Sequence, residues 1–332
     1  MKAVLVEAYG PYSGAVLRTV DDLAPQPGMA LVRLLAADVN FPDILVMEGN
    51  YQVKPPLPFS PGKAGAGIVE AVGAGVTGLK PGDRVAVQVE YGTYAQKVLA
   101  PAQTCYPMPD DMPFDIAAAL GLVYQTAYFS LMERASFKPS DTVLVLGASG
   151  GVGMASIQLA KAMGSPCVIA GARGEANAAF ARQAGADHVV DLGMDNLKDG
   201  LRDAVKEITG GHGADIVIDP VGGDANAAAL RAMAWCGRMV IVGFASGNIP
   251  AIRSNYLLVK NIAVSGIQWS DYRDRDPDAV AAAQAEIFSY WSAGKLDPVI
   301  TQRVPLENYM DALDSVGGGK VQGKIVMTLG DA

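Results

Sequence analysis

The 332-residue chain is poor in the residues that most often carry metal and redox chemistry. Its three cysteines, Cys105, Cys167 and Cys236, are odd in number, far apart and never in a CxxC pair. That spacing excludes a disulfide framework and a cysteine metal knuckle, and reduced thiols in a cytoplasmic protein are the expectation. There are only two histidines. His188 opens an apolar run and His212 sits in a glycine loop, so both read as structural. Charged residues make up 18% of the chain, the net charge is −8 and no basic run occurs, which excludes a nucleic-acid-binding surface. No stretch of 18 apolar residues is present, so no membrane span is expected. The opening MKAVLVEAYG is interrupted by Glu7 too soon to read as a signal peptide.

What is present is apolar residue in quantity, 50% of the chain, enough for one large or two medium cores. Up to about residue 120, glycine and proline interrupt short β-rich segments at the spacing of an antiparallel, barrel-like unit. These segments are Ala3–Val6, Met29–Ala36, Ala66–Val72, Arg84–Val89 and Tyr94–Leu99. Ile116 to Met132 then carries apolar residues at helical spacing. From Asp141, strands alternate with helices. The strands expected are Thr142–Leu146, Cys167–Ala172, His188–Val190, Ile216–Asp219, Met239–Val242 and Ile262–Gly266, with helices at 151–163, 175–184, 196–209 and 224–234. Such alternation implies right-handed crossovers and a six-stranded, doubly wound parallel sheet. After residue 268 the texture is mixed again: a helix at 277–292, strands at Ile300–Pro305 and Lys324–Leu329, and a helix at 307–315. This tail is too short for a domain and is expected to complete the N-terminal β unit.

The stretch Thr142–Gly164, TVLVLGASGGVGMASIQLAKAMG, is the strongest single motif. An apolar strand, a glycine-rich turn and a helix place free N–H groups and the positive end of a helix dipole at one point, which suits a dinucleotide pyrophosphate. Ala148, Gly150 and Gly153 occupy the three glycine positions of GxGxxG, with Gly151 and Val152 between the last two. About twenty residues on, where an acid would hold the ribose of NAD, stand Ala172 and then Arg173, whose guanidinium suits the 2′-phosphate of NADPH. NADPH is therefore favoured over NADH. Glu175 nearby weighs against phosphate, and a solvated surface charge is the plainer reading of Arg173.

Ordered along nearly the whole chain are VNFPD (39–43), PFSPGKAGAGIVEAVGAGV (58–76), GDRVAV (82–87), AAALGLVYQTAY (117–128), the GGVG turn, GADHVVD (185–191), DPVGG (219–223) and GRMVIVGFASG (237–247). On these motifs the chain resembles the medium-chain dehydrogenase/reductase superfamily, and within it the zinc-free quinone oxidoreductases of the zeta-crystallin type. The resemblance implies a GroES-like β-rich catalytic domain, 1–122 and 267–332, with an inserted six-stranded Rossmann NADPH-binding domain, 123–266. It also implies Asn40 and Tyr51 in the substrate pocket with Asp43 nearby, and Thr126 and Tyr128 near the nicotinamide and adjoining phosphate. Gly222, Gly243, Phe244 and Asn177 join the glycine turn and Arg173 in holding the cofactor. An ordinary loop aromatic is the plainer reading of Tyr51, and a turn-stabilising pair that of Asn40 and Asp43.

The zinc-dependent alcohol dehydrogenases of that superfamily hold their metal at positions that fall here on Asn40, Lys63 and Leu122, none of which supplies a thiolate or imidazole. No metal is expected. The glutamate many relatives carry after the PG of PGxEGAG is replaced here by Ala64. A lysine and a tyrosine that some relatives place near the 2′-phosphate are Asn177 and Leu192. The resemblance implies an NADPH-dependent reductase of quinones or α,β-unsaturated carbonyls. Two alternatives remain open: an enoyl-thioester reductase, for which Lys320 and Lys324 could meet CoA phosphates, although surface solvation is the plainer reading of both, and a nucleotide-binding structural or regulatory protein with little turnover. The apolar edge strand near 262–266, unguarded by proline or lysine, implies a homodimer.

Overall fold

A computed structural model describes residues 1–319 and 321–330. The chain divides into two compact units, one comprising Met1–Leu122, Ser270–Ser292 and Pro298–Ala332, the other Val123–Trp269 and Ala293–Asp297.

The second unit is built on a six-stranded parallel sheet. Its spatial order is His188–Asp191, Cys167–Ala172, Thr142–Leu146, Ala214–Asp219, Met233–Ile241 and Ala263–Gly266. The chain thus starts in the middle, winds outward to one edge and then to the other, which is the doubly wound order for a six-stranded dinucleotide sheet. Val143, Leu144, Val145 and Leu146 are completely buried, because a central strand has neighbours on both edges and helices on both faces. The intervening helices, Gly151–Ala162, Glu175–Gln183, Leu197–Ile208 and Gly223–Ala232, match the expected ones to within two residues. Alanines 225, 228, 229 and 232 are buried on the last of these, and their small side chains let it pack closely into the core. Ala263–Gly266 pairs on one side only and is partly exposed along its length, as an edge strand.

Three local expectations need correction here. The fifth strand begins at Met233 rather than Met239, because Cys236 takes a φ of +60° and lets the chain turn through Gly237 without leaving the sheet. The helix expected over Ile116–Met132 is broken into Phe114–Ala119, Leu122–Phe129 and a π-helical turn, Ser130–Arg134. Gly121 sits at the first break, where a Cβ would come within 3.3 Å of the Ala64 Cβ. The helices Ser254–Lys260 and Trp269–Arg275 were not expected at all.

The first unit is β-rich. Met29–Val39 is its spine, pairing antiparallel with Ala64–Val72, Lys97–Pro101 and Lys324–Thr328 along different parts of its eleven residues. Arg84–Gln88 and Cys105–Pro107 extend the sheet on one side, and Ile300–Pro305 runs parallel to Lys324–Thr328 on the other. The tail therefore supplies two strands of this sheet. The strand expected at Tyr94–Leu99 begins three residues later, at Lys97, and ends at Pro101, because Tyr94 is turned into the core by the loop before it. Among the described residues no helix is long and apolar enough to cross a membrane.

Candidate functional site

In the doubly wound unit the glycine turn follows the strand Thr142–Leu146. Gly147 takes a φ of +60° and its carbonyl accepts the Gly150 N–H at 3.1 Å, which closes the turn. Ala148 is buried and its N–H bonds the carbonyl of Gly171 on the neighbouring strand. Alanine is tolerated at this first motif position because Gly147, one residue earlier, carries the left-handed conformation. Gly153 has no such freedom: a Cβ would lie 2.3 Å from the Gly147 oxygen and 2.8 Å from the Ala148 Cα. Gly150 caps the helix Gly151–Ala162, whose first turn presents the N–H groups of Gly151, Val152 and Gly153 with no carbonyl of that helix to bond.

Arg173 is exposed at the end of Cys167–Ala172, and the Ala172 side chain beside it is buried. Glu175 forms an ion pair with Arg182 at 2.8 Å. The Asn177 amide donates to the Arg173 carbonyl at 2.9 Å, so part of its capacity holds the loop. Sequence reasoning passed over Asp191, which accepts the N–H groups of Gly193 and Gly174 at 2.8 and 3.2 Å. Those bonds, aided by Arg173, hold its carboxyl below the ordinary range. Leu192 is buried against the Gly171 position.

Gly222, Gly243 and Phe244 are brought together around Asp219, a second residue that sequence reasoning missed. Asp219 is completely buried and accepts the N–H groups of Val221 and Gly222 and the Asn226 amide at 2.7–2.9 Å. Gly222 has a φ of +72°, and a Cβ there would meet the Phe244 ring at 3.0 Å. Thr126 and Tyr128 lie half-buried on Leu122–Phe129, with the Thr126 carbonyl accepting the Ser130 hydroxyl.

In the β-rich unit Asn40 caps the short helix Phe41–Met47, and the Asp43 carboxylate accepts the Asn40 N–H at 2.8 Å. The turn-stabilising role of this pair is thus realised. Asn40 does more, however. Its amide donates to Asp38 Oδ2 at 3.0 Å and its oxygen accepts Lys324 Nζ at 2.7 Å. Lys324 also pairs with Asp38 at 3.0 Å, with the two side chains 3% and 0% exposed. This overturns the expectation that Lys324 meets CoA phosphates or solvent; Lys320 lies outside the described residues. Tyr94 donates its hydroxyl to Asp43 Oδ2 at 2.7 Å. Burial pushes the Asp38 and Asp43 carboxyls up to about 6, against the opposing pull of Lys324 on the first and of Tyr94 and Lys63 on the second. One oxygen of each, Oδ1, is buried without a hydrogen bond. Asp43 is so enclosed that it sets the Asn40 turn rather than reaching a ligand.

Tyr51 is half-buried, and its ring lies under a cation: Lys63 Nζ is 4.4 Å from the ring centroid. Lys63 is 2% exposed and forms an ion pair with Glu90, whose other oxygen takes Arg273 at 3.1 Å. Desolvation pushes the Lys63 ammonium down and Glu90 opposes the shift. The three cysteines are all free thiols.

Residues 26–110 match the family model of the alcohol dehydrogenase GroES-like domain, and residues 151–285 that of the zinc-binding dehydrogenases. Quinone oxidoreductase-like protein 2 of Rattus norvegicus is 36% identical, covering 94% of this chain and 89% of its own length. A mycobacterial protein solved in complex with NADPH superposes with a TM-score of 0.90 at 30% identity, over 99% of this chain and 100% of its own. Escherichia coli quinone oxidoreductase complexed with NADPH gives a TM-score of 0.88 at 27% identity, over 99% and 100%.

Proposed function

The chain belongs to the medium-chain dehydrogenase/reductase superfamily and within it to the quinone oxidoreductase-like family, and from that premise we propose a zinc-independent, NADPH-dependent reductase of quinones or α,β-unsaturated carbonyls. The observation that carries the reading is the state of Lys63. The zinc named in the family model does not fit these residues. Lys63 stands at one ligand position as a buried ammonium ion-paired to Glu90, and Asn40 at another has its oxygen taken by Lys324. Among the described residues no three His, Cys, Asp or Glu side chains converge on a metal position. An unactivated alcohol needs a Lewis acid to be oxidised readily, whereas a conjugated carbonyl needs only donors for the oxygen on which charge develops.

NADPH fits the second unit: Gly153 lets the helix pack onto the Gly147–Ala148 turn, Gly150 leaves the mouth of the turn open to a pyrophosphate, and Arg173 suits a 2′-phosphate. When bound it supplies the hydride to the electrophilic carbon. The protein holds the cofactor through Thr126, Tyr128, Ala148, Gly150, Gly151, Val152, Gly153, Arg173, Asn177, Gly222, Gly243 and Phe244. Tyr51 donates to the developing oxyanion, and Asn40, its amide held by Asp38 and its oxygen by Lys324, lines the pocket, while Asp43 fixes the Asn40 turn. Three free thiols and the open edge at Ala263–Gly266 support a cytoplasmic homodimer. The test is consumption of NADPH and NADH, in parallel, with a panel of quinones, enones and crotonyl-CoA. Turnover of quinones or enones that survives exhaustive chelation is expected. No turnover across the panel, or activity restored only by zinc, would refute the reading.

A further inference from the structure

The polar cluster around Lys63 is more elaborate than a structural ion pair requires. Lys63 Nζ donates to both the carboxylate and the carbonyl of Glu90, and the ring of Tyr51 lies against it, its centroid 4.4 Å away. Glu90 is shared with Arg273, which in turn bonds Asp274 at 2.8 Å. Asp43 also acts on Lys63, favouring its charge, and Arg273 disfavours it. Lysine is ordinarily a mobile, hydrated point charge; here its head is stripped of water and held in one place. A cation over an aromatic face is attracted to the ring, and by the same electrostatics it withdraws density from the phenol and favours its ionised form.

Resting on the reading of the chain as a reductase of activated carbonyls, we propose that Lys63 is a positioning residue for Tyr51. Held by Glu90 and Arg273, it fixes the ring and strengthens the phenol as a donor to the carbonyl oxygen. In the reaction, hydride from NADPH forms a C–H bond at the β-carbon of the enone. The C=C electrons shift to form the enolate, and the bound cofactor would supply the hydride's electron pair and be left as NADP⁺. The Tyr51 O–H bond breaks as its proton passes to the enolate oxygen, giving the enol, and a proton from water restores the phenol. Overall, the enone takes up one hydride and one proton.

A double-mutant cycle with Lys63→Met and Tyr51→Phe tests this, together with Lys63→Arg. Lys63→Met keeps the length of the side chain and leaves Glu90 paired with Arg273. The single Lys63→Met change should lower kcat about tenfold, equivalent to about 1.4 kcal/mol, with KM held within about twofold. In the Tyr51→Phe background it should cost nothing further, and Lys63→Arg should recover most of the loss. Independently of turnover, 13C NMR of protein labelled at the tyrosine Cζ should show the Tyr51 ionisation moving upward in Lys63→Met, with the resonance identified by its loss in Tyr51→Phe. Should Lys63→Met not fold, Lys63→Met/Glu90→Gln removes both charges and is read in the same two ways. Additive kinetic costs, or a Tyr51 titration that does not move, would overturn the proposal. A wild-type protein without turnover would refute the reductase reading alone, and the titration would then decide the Lys63–Tyr51 coupling by itself.

Discussion

Replacing Lys324 with methionine should destabilise the β-rich unit far more than an average lysine substitution. Lys324 opens the strand that pairs with Met29–Val39, and its ammonium bonds Asp38 at 3.0 Å and Asn40 Oδ1 at 2.7 Å in a completely buried setting. Methionine fills the same stem but leaves Asp38 with only the Asn40 amide on one oxygen and nothing on the other. Breaking one side of a buried pair costs about 3–5 kcal/mol, because the surviving charge stays out of water. At roughly 2–4 °C per kcal/mol for a unit of this size, the melting temperature should fall by about 10 °C. Asp38→Asn/Lys324→Met, which removes both charges, should recover most of that loss. The pH dependence has a definite sign. Burial raises the Asp38 carboxyl to about 6 in the folded protein, against about 3.9 unfolded. The folded state therefore binds more protons between those values, and this group's contribution to stability declines as pH rises from about 4 to 6 and then levels off. Loss of the Lys324 charge raises the folded value further, so the deficit of Lys324→Met should shrink on acidification from pH 7.5 to 5. Urea denaturation followed by circular dichroism at the two pH values measures both effects. A variant within 1 kcal/mol of wild type at pH 7.5, by the scale just given, or a double variant no better than the single one, would refute the reasoning.

Gly153→Ala should weaken NADPH binding at least about tenfold in a fluorescence titration, since the new Cβ would sit 2.3 Å from the Gly147 oxygen and displace the turn. Arg173→Ala should raise the Kd for NADPH by about 10–100-fold and leave that for NADH nearly unchanged, because a charge-assisted bond to phosphate contributes about 1.5–3 kcal/mol; an equal loss for both would assign Arg173 to the surface. Val264→Lys, on the open edge strand, should convert a dimer to a monomer in sedimentation velocity, and a wild-type monomer at micromolar concentration would contradict the assembly.

The doubly wound unit was legible because its central strands are buried on both faces and so read as uninterrupted apolar runs. Thr142–Leu146 and Cys167–Ala172 fell where the sequence placed them. The segment Ser254–Lys260 was not legible: it buries no side chain, so it carries no amphipathic stripe to reveal a helix. The early start of the fifth strand was hidden for the opposite reason, since Trp235, Cys236 and Gly237 look like a turn and the left-handed Cys236 is a local exception. At the cofactor turn, steric necessity left its mark in glycine. The polar network left none: Lys63 and Glu90 are 27 residues apart, Arg273 and Glu90 183, and Lys324 and Asn40 284. Nothing in a lysine's immediate neighbours announces a carboxylate so distant, and lysine is almost always exposed, so Lys324 was read as a surface residue.

Both side chains proposed to line the substrate pocket are backed by a buried lysine, Asn40 by Lys324 and Tyr51 by Lys63, and each lysine is neutralised by its own carboxylate, Asp38 and Glu90. Two such pairs are poor instruments of stability, since well-packed apolar residues of similar volume commonly do as well or better. They are good instruments of preorganisation. Lys63 fixes a donor and Lys324 fixes the Asn40 wall before charge develops. The two are not equivalent, however. Lys324 is hydrogen-bonded to Asn40 and to a carboxylate that has no other cation among the described residues, so its loss should appear in stability and Asn40 geometry together. Glu90 keeps Arg273 when Lys63 is removed, so that loss should appear in turnover with the fold left intact. A ratio of stability loss to kcat loss that is large for Lys324→Met and small for Lys63→Met is what separates a lysine that holds the fold around the site from one that tunes the site itself.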